Sequence, residues 1–151
     1  MVKAMIVYDS MFGNTEKIAK ALSEGMKMNG FTVDCARIDN VDPAKLVDYD
    51  ILAIGAPTQA FGISSPMKEF LKKLEKISLQ GKKGFAFDTR LDNLLAGSAA
   101  KGIEKKLKEF KMTVIRPHAS AKIKTVKGTA VLEENAEKEF EQIGIEIAKA
   151  K

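Results

Sequence analysis

Six residues, Ser10-Met11-Phe12-Gly13-Asn14-Thr15, lead from an apolar run ending at Tyr8 into an amphipathic stretch whose first residue is Thr15. A short turn of this kind aims several main-chain N–H groups at one point. Gly13 lets the chain turn without a Cβ in the way. Ser10, Asn14 and Thr15 add short hydroxyl and amide donors, and the start of the helix adds partial positive charge. Together they suit a phosphate nest that needs no cationic side chain. The same residues also suit a plain capped strand–helix turn. A second group, Pro57-Thr58-Gln59-Ala60-Phe61-Gly62, follows the apolar run Ile51-Leu52-Ala53-Ile54-Gly55-Ala56. Pro57 and Gly62 shape an exposed loop, and Phe61 puts an apolar ring where a loop is ordinarily polar. That ring suits a wall for a flat heteroaromatic ligand, or else it folds back on the core. A third group, Asp88-Thr89-Arg90, leads into Leu91-Asp92-Asn93. Asp88 and Thr89 can hydrogen-bond a ring edge or a ligand hydroxyl, or serve as helix and turn caps. Arg90 offers a cation beside the ring, or is a solvated loop side chain.

Other chemistries have little to work with, and we expect no catalytic residue and no metal site. The one histidine, His118, follows Pro117 and has no evident carboxylate, serine or cysteine partner, so a structural role is expected. The one cysteine, Cys35, excludes an internal disulfide and any multi-cysteine cluster, and it reads as a small strand residue in a reducing cytoplasm. No Gly-x-Gly-x-x-Gly stands ready for a dinucleotide, and no Gly-Lys-Ser/Thr for a nucleoside triphosphate. A phosphoacceptor site would need an acid pair after the first strand and an Asp ending the third. Here a single Asp9 and the run Gly55-Ala56-Pro57 occupy those places.

The elements that must position the three groups follow from periodicity. Short apolar runs alternate with amphipathic stretches, the pattern of βα units and a parallel sheet. The first strand is Ala4 to Tyr8. A helix over Thr15 to Met28 carries its apolar stripe on Ile18, Ala19, Leu22 and Met26, with Gly30 beyond its end. A strand near Thr32 to Ile38 and a turn at Asp42-Pro43-Ala44 come next. The run Ile51 to Ala56 lacks polar alternation, so it reads as a strand covered on both faces. Ser65 and Pro66 open a second helix, with Met67, Phe70, Leu71, Leu74 and Ile77 inward. A fourth strand, Gly84 to Thr89, precedes a helix over Ser98 to Lys111. The fifth strand starts near Met112, is interrupted around Pro117 and resumes at Ala121 to Val126. A last helix over Leu132 to Lys149 buries Ala136, Phe140, Ile143 and Ile147. We therefore expect one domain over residues 1–151, an α/β fold of three layers. Its doubly wound, five-stranded parallel sheet has strand order 2-1-3-4-5. The crevice of such a sheet opens at the carboxyl ends of its strands, beside strands 1 and 3, where all three groups lie.

Charge and hydropathy bound the partners. Twenty-five basic residues against 20 acidic give a net charge of +5. The lysines are interspersed with glutamates, as in Lys101, Glu104, Lys105, Lys106, Lys108 and Glu109, with no aromatic platform among them. This reads as a solvated surface, with no nucleic acid partner. No apolar run approaches the roughly 18–20 residues that cross a bilayer, and Met1 to Tyr8 reads as a strand, not a signal peptide. No membrane association is expected.

At this point the sequence resembles a known family. Ser10 to Thr15 looks like the phosphate loop of flavodoxins, commonly Ser/Thr-x-Thr-Gly-Asn-Thr, with Phe12 in place of a Thr. Gly55-Ala56-Pro57-Thr58, followed by Pro66-Met67-Lys68-Glu69-Phe70-Leu71, resembles the segment carrying the second flavin loop and its helix. Phe87-Asp88-Thr89-Arg90, Gly97-Ser98-Ala99-Ala100 and Lys127-Gly128 are similar to one branch of flavodoxin-domain proteins. The third loop lacks the Tyr that stacks on the ring in many members, and the chain has no Trp. The resemblance implies a flavodoxin-like fold and a noncovalent FMN. By similarity, its phosphate would lie in Ser10, Met11, Phe12, Gly13, Asn14 and Thr15. Its ring would lie between Pro57, Thr58, Gln59, Ala60, Phe61 and Gly62 on one side and Asp88, Thr89 and Arg90 on the other. It further implies electron transfer between redox partner proteins by a cytoplasmic monomer or weak homodimer. An FMN-dependent quinone or small-molecule reductase is the alternative enzyme reading, and a flavin-free module that kept the fold is the alternative without chemistry.

Overall fold

Apolar runs and amphipathic stretches become strands and helices in the order that the periodicity predicts. The computed structural model describes residues 2–59, 61–93 and 95–150. Its regular elements are β1 (Lys3–Tyr8), α1 (Asn14–Lys27), β2 (Thr32–Arg37), β3 (Ile51–Gln59), β4 (Gly62–Ile63), α2 (Ser65–Leu74), β5 (Lys83–Leu91), α3 (Ala99–Glu109), β6 (Thr113–Val114), β7 (Ala119–Val126), β8 (Thr129–Leu132) and α4 (Ala136–Ala150). Asp42 accepts from the Ala44 N–H and so opens a short 3-10 segment, Pro43–Asp48, between β2 and β3.

The sheet runs β2-β1-β3-β5-β7-β8. From β2 to β7 all neighbours are parallel, as a doubly wound 2-1-3-4-5 sheet requires. The fifth position is shared. β6 pairs with the start of β5 and β7 with its end, and Pro117 lies in the gap, where no ladder N–H is needed. Alternate residues of β1 face opposite layers. Ala4, Ile6 and Tyr8 join Ile18, Leu22, Phe140 and Ile147 of α1 and α4. Met5 and Val7 join Met67, Phe70, Ile103 and Leu107 of α2 and α3. Both faces of β3 and β5 are thus covered, which is why their sequences show no alternation.

Two antiparallel additions were not expected. β4 folds back on β3, pairing Thr58 with Ile63 and Gln59 with Gly62. β8 folds back on β7 through Lys127 (φ 50°) and Gly128 (φ 80°). A two-residue loop with both members left-handed has the twist that a hairpin needs. The last helix consequently begins at Ala136 and not at Leu132, because Thr129–Leu132 is spent on β8. The opening of α2 also differs. Ser65 is exposed, and Ser64 occupies the capping position without a capping bond from its side chain. Its hydroxyl is buried and donates to Asp9 Oδ2 at 2.6 Å. Ile77 lies beyond α2, packed against the core from the following turn.

Candidate cofactor-binding site

The carboxyl end of β1 delivers Ser10 to Gly13 to the head of α1. Gly13 has φ +88°, a conformation that costs a non-glycine residue about 1 kcal/mol or more, and the place its Cβ would take is open space. The first helical bond runs from Lys17 N–H to the Gly13 carbonyl (3.1 Å), so the N–H groups of Asn14, Thr15 and Glu16 lie ahead of it. The side chains act differently from the sequence reading. Ser10 Oγ accepts from the Gly13 N–H at 3.1 Å, which leaves its own proton to donate. Asn14 Nδ2 donates to the Ala130 carbonyl of β8 (3.0 Å), and Thr15 Oγ1 shares a 3.0 Å hydrogen bond with Thr89 Oγ1. Asn14 and Thr15 thus also brace the turn, and the main-chain N–H groups and the Ser10 hydroxyl are the donors left facing the open space.

The second and third groups meet the first. A cavity of about 110 Å³ is lined by Ser10, Met11, Phe12, Asn14 and Thr15, by Pro57, Thr58 and Gln59, and by Thr89, Ile123 and Ala130. Gln59 Nε2 donates to the Met11 sulfur at 3.5 Å, tying two of the segments together. Thr58 also lines a hollow of about 290 Å³ whose other walls are Phe61, Leu91, Asn93, Leu95 and Ala96. Phe61 does not fold back on the core, for 74% of it is exposed. Its backbone is left-handed (φ 70°) and presses on Gly97, where a Cβ would fall 2.2 Å from the Phe61 carbonyl oxygen. Gly62 follows in β4, and Ala60 lies outside the described residues.

Asp88 and Arg90 do not join the cavity. Both lie within β5, which runs on to Leu91. Asp88 is fully buried and faces α3. Its Oδ2 accepts from Ser98 Oγ (2.7 Å), the Ala100 N–H (2.9 Å) and Thr58 Oγ1 (3.2 Å). The helix-capping reading of Asp88 is therefore the one its contacts fit. Arg90 Nη2 donates to the Asn93 carbonyl at 3.1 Å and holds its own loop. Periodicity gave no sign of Ile123 and Ala130, which reach the site through the β7–β8 hairpin. Leu95, 80% exposed, is an apolar residue in a polar loop, the same signal that singled out Phe61.

Several titratable groups outside the lining of the cavity are held by neighbours or by burial. Tyr8 OH donates to Glu16 Oε1 at 2.8 Å. Burial and this bond push the Tyr8 hydroxyl up to about 12, and the same bond holds Glu16 below the usual carboxylate range. Burial pushes the half-buried Cys35 thiol up to about 11. His118 does have a carboxylate neighbour. Its main-chain N–H donates to Glu104 Oε2 (2.8 Å), and its ring Nδ1 sits 3.3 Å from the same oxygen without hydrogen-bond alignment. Burial raises Glu104, but His118 and Lys108 outweigh it and its pKa is lowered.

The flavodoxin family model matches residues 6–143, from the interior of β1 to the middle of α4. The chain belongs to the flavodoxin family. A flavodoxin of Clostridium saccharobutylicum is 35% identical over 99 residues, covering 65% of this chain and 61% of that one. A Rhizobium meliloti protein named NAD(P)H dehydrogenase (quinone) 3 is 32% identical over 111 residues, covering 58% of this chain and 52% of its own length. The chain thus spans little more than half the length of these curated relatives. The solved structure of a flavodoxin from the domain Archaea superposes with a TM-score of 0.84 at 28% identity, covering 98% of this chain and 97% of that one.

Flavodoxins bind FMN, and the residues present fit that group. The open space at Gly13 stands before main-chain donors at a helix head, which suits a phosphate. The adjoining cavity and hollow are walled mainly by apolar and hydroxyl-bearing side chains, which suits a flat ring and its polyol chain. Among the described residues no helix is long and apolar enough to cross a membrane.

Proposed function

We propose that this chain binds one FMN noncovalently at the carboxyl ends of β1, β3 and β5 and carries electrons between redox partner proteins. The observation that carries this reading is the head of α1, where an open, left-handed Gly13 and unspent main-chain N–H groups adjoin the cavity. FMN, when bound, supplies reversible uptake of one or two electrons. The work of the chain is to hold and shield it. Residues 10–15 grip the phosphate through the main chain and the Ser10 hydroxyl. Thr58 and Gln59, fixed by the β3–β4 hairpin, flank the polyol and ring. Phe12, Phe61 and Leu95 supply apolar walls. Thr89 and Ala130 brace the nest through Thr15 and Asn14. The chain acts as one domain over residues 1–151, in the cytoplasm, as a monomer or weak homodimer.

An absorption spectrum of the freshly purified protein and an FMN titration test the reading. Flavin bands near one FMN per chain are expected. A protein that stays colourless after incubation with FMN overturns it and leaves a flavin-free module on the same fold. Relatives named as quinone dehydrogenases support a second reading, an FMN-dependent quinone or small-molecule reductase. NAD(P)H oxidation with a quinone acceptor, and with no partner protein present, decides for that enzyme.

A further inference from the structure

Resting on the carrier reading, we propose that Phe61 and the lysine stripe of α3 form the docking surface for an acidic face of a redox partner protein. The first turn of α3 contains no acidic residue and carries Lys101. A cation there faces the positive end of the helix dipole, which the Asp88 carboxylate at the head of α3 offsets, and the Lys101 side chain is exposed. Lys105 and Lys108 follow at positions i+4 and i+7, on one face of the helix.

These side chains line a groove of about 630 Å³ together with Phe61, Gly62 and Glu104. Phe61 also walls the hollow beside the proposed ring site, so a body seated in the groove touches the rim of that site. Three other helix lysines pair with neighbours, Lys20 with Glu16, Lys27 with Glu24 and Lys106 with Glu109, whereas Lys17, Lys68, Lys72, Lys73, Lys138 and Lys149 have no carboxylate partner among the described residues, so what sets Lys101 and Lys105 apart is the groove they share with Phe61. Glu104, the one acid of the groove, is spent on the His118 N–H at 2.8 Å and on Lys108 Nζ at 3.6 Å. Lys101 and Lys105 have no carboxylate within ion-pair distance among the described residues. A concave surface with one exposed aromatic ring and two unpaired cations is complementary to a convex apolar contact ringed by carboxylates. The stripe from Lys101 to Lys108 spans roughly 10 Å at 1.5 Å per residue, the width of a patch and not of a nucleic-acid track.

The test is an amide NMR titration of the full chain, with and without FMN, using a hexaglutamate peptide as the probe. Peptide-induced shifts are expected at Phe61–Gly62 and along Lys101–Lys108. Binding should weaken with salt and be reduced roughly fivefold or more in Lys101→Glu/Lys105→Glu. Lys27→Glu/Lys149→Glu changes the net charge equally at the far ends of α1 and α4 and should leave binding unchanged. Shifts spread over other lysines, or equal losses in the two variants, overturn the proposal. Tighter binding of a thymidine oligonucleotide to the same residues overturns it in favour of nucleic acid. The two readings fail separately. FMN binding without a localised peptide site removes the docking surface alone, and a localised peptide site in a chain that refuses FMN removes the carrier.

Discussion

Gly13 is the residue on which the nest turns. Its φ of +88° and the open space before it mean that Gly13→Ala meets no clash, only the strain of a left-handed backbone. That strain is about 1 kcal/mol, or about a fivefold loss of FMN affinity where it falls on the bound conformation. Fluorescence titration of FMN with both proteins checks this, and equal affinities would show that the main-chain geometry grips nothing. The tyrosines make a second test. Tyr8 is pushed up to about 12 by burial and its bond to Glu16, and Tyr49 to about 12 by its bond to Asp34 and by burial. They are the only two in the chain, which has no Trp to obscure their absorbance. Tyrosinate absorbance of the folded protein should stay flat near pH 10 and rise toward pH 12, while the urea-unfolded chain titrates near 10. The folded-state values lie above the unfolded ones, so this contribution to stability is complete below pH 10 and is lost as pH rises from 10 to 12. A folded chain whose tyrosines titrate near 10 contradicts the bonds described.

At the scale of elements, the site depends on how α1 is seated. α1 crosses α4 with the two backbones in contact. A Cβ on Gly144 would fall 2.3 Å from the Leu22 carbonyl oxygen, and one on Gly25 would fall 2.0 Å from that of Glu141. Neither oxygen can yield without moving its helix. Gly144→Leu should therefore destabilise the fold by about 3 kcal/mol or more. It should also weaken FMN binding, because the displaced helix carries the nest at its head. Urea melts and FMN titration read the two effects. A variant with wild-type stability would mean that the helices do not approach this closely. The β7–β8 hairpin is the other supporting element, joined to the nest through Asn14 Nδ2 and the Ala130 carbonyl.

For the molecule as a whole, a cofactor that binds only the folded chain must stabilise it by mass action. At free FMN about 100 times its dissociation constant the gain is about 2.7 kcal/mol, which is roughly 5–10 °C in the thermal midpoint for a chain of this size. Riboflavin has the same ring system without the phosphate and should raise the midpoint less. Equal shifts would place the grip on the ring alone and empty the nest of its role. A scanning calorimeter or a fluorescence melt is sufficient.

Local physics made much of this legible in the sequence. Alternating periods of about 3.6 and runs of apolar residues specify helices and covered strands without reference to anything distant. The succession of units then leaves few topologies, so the sheet order and the crevice follow. Gly13 at a strand–helix junction and Phe61 in a polar loop were visible for the same reason. Which polar atoms remain free for a ligand is a different question, because a donor's partner can come from anywhere in the chain. Asn14 is tied to Ala130, 116 residues away, and Thr15 to Thr89, 74 residues away. Asp88 turns from the crevice to the head of α3 because Ser98 and Ala100 are brought beneath it. The sequence determined where a ligand could sit. Only tertiary packing decided which groups face it, since a hydrogen bond needs its partner within about 3 Å and chain distance does not report that.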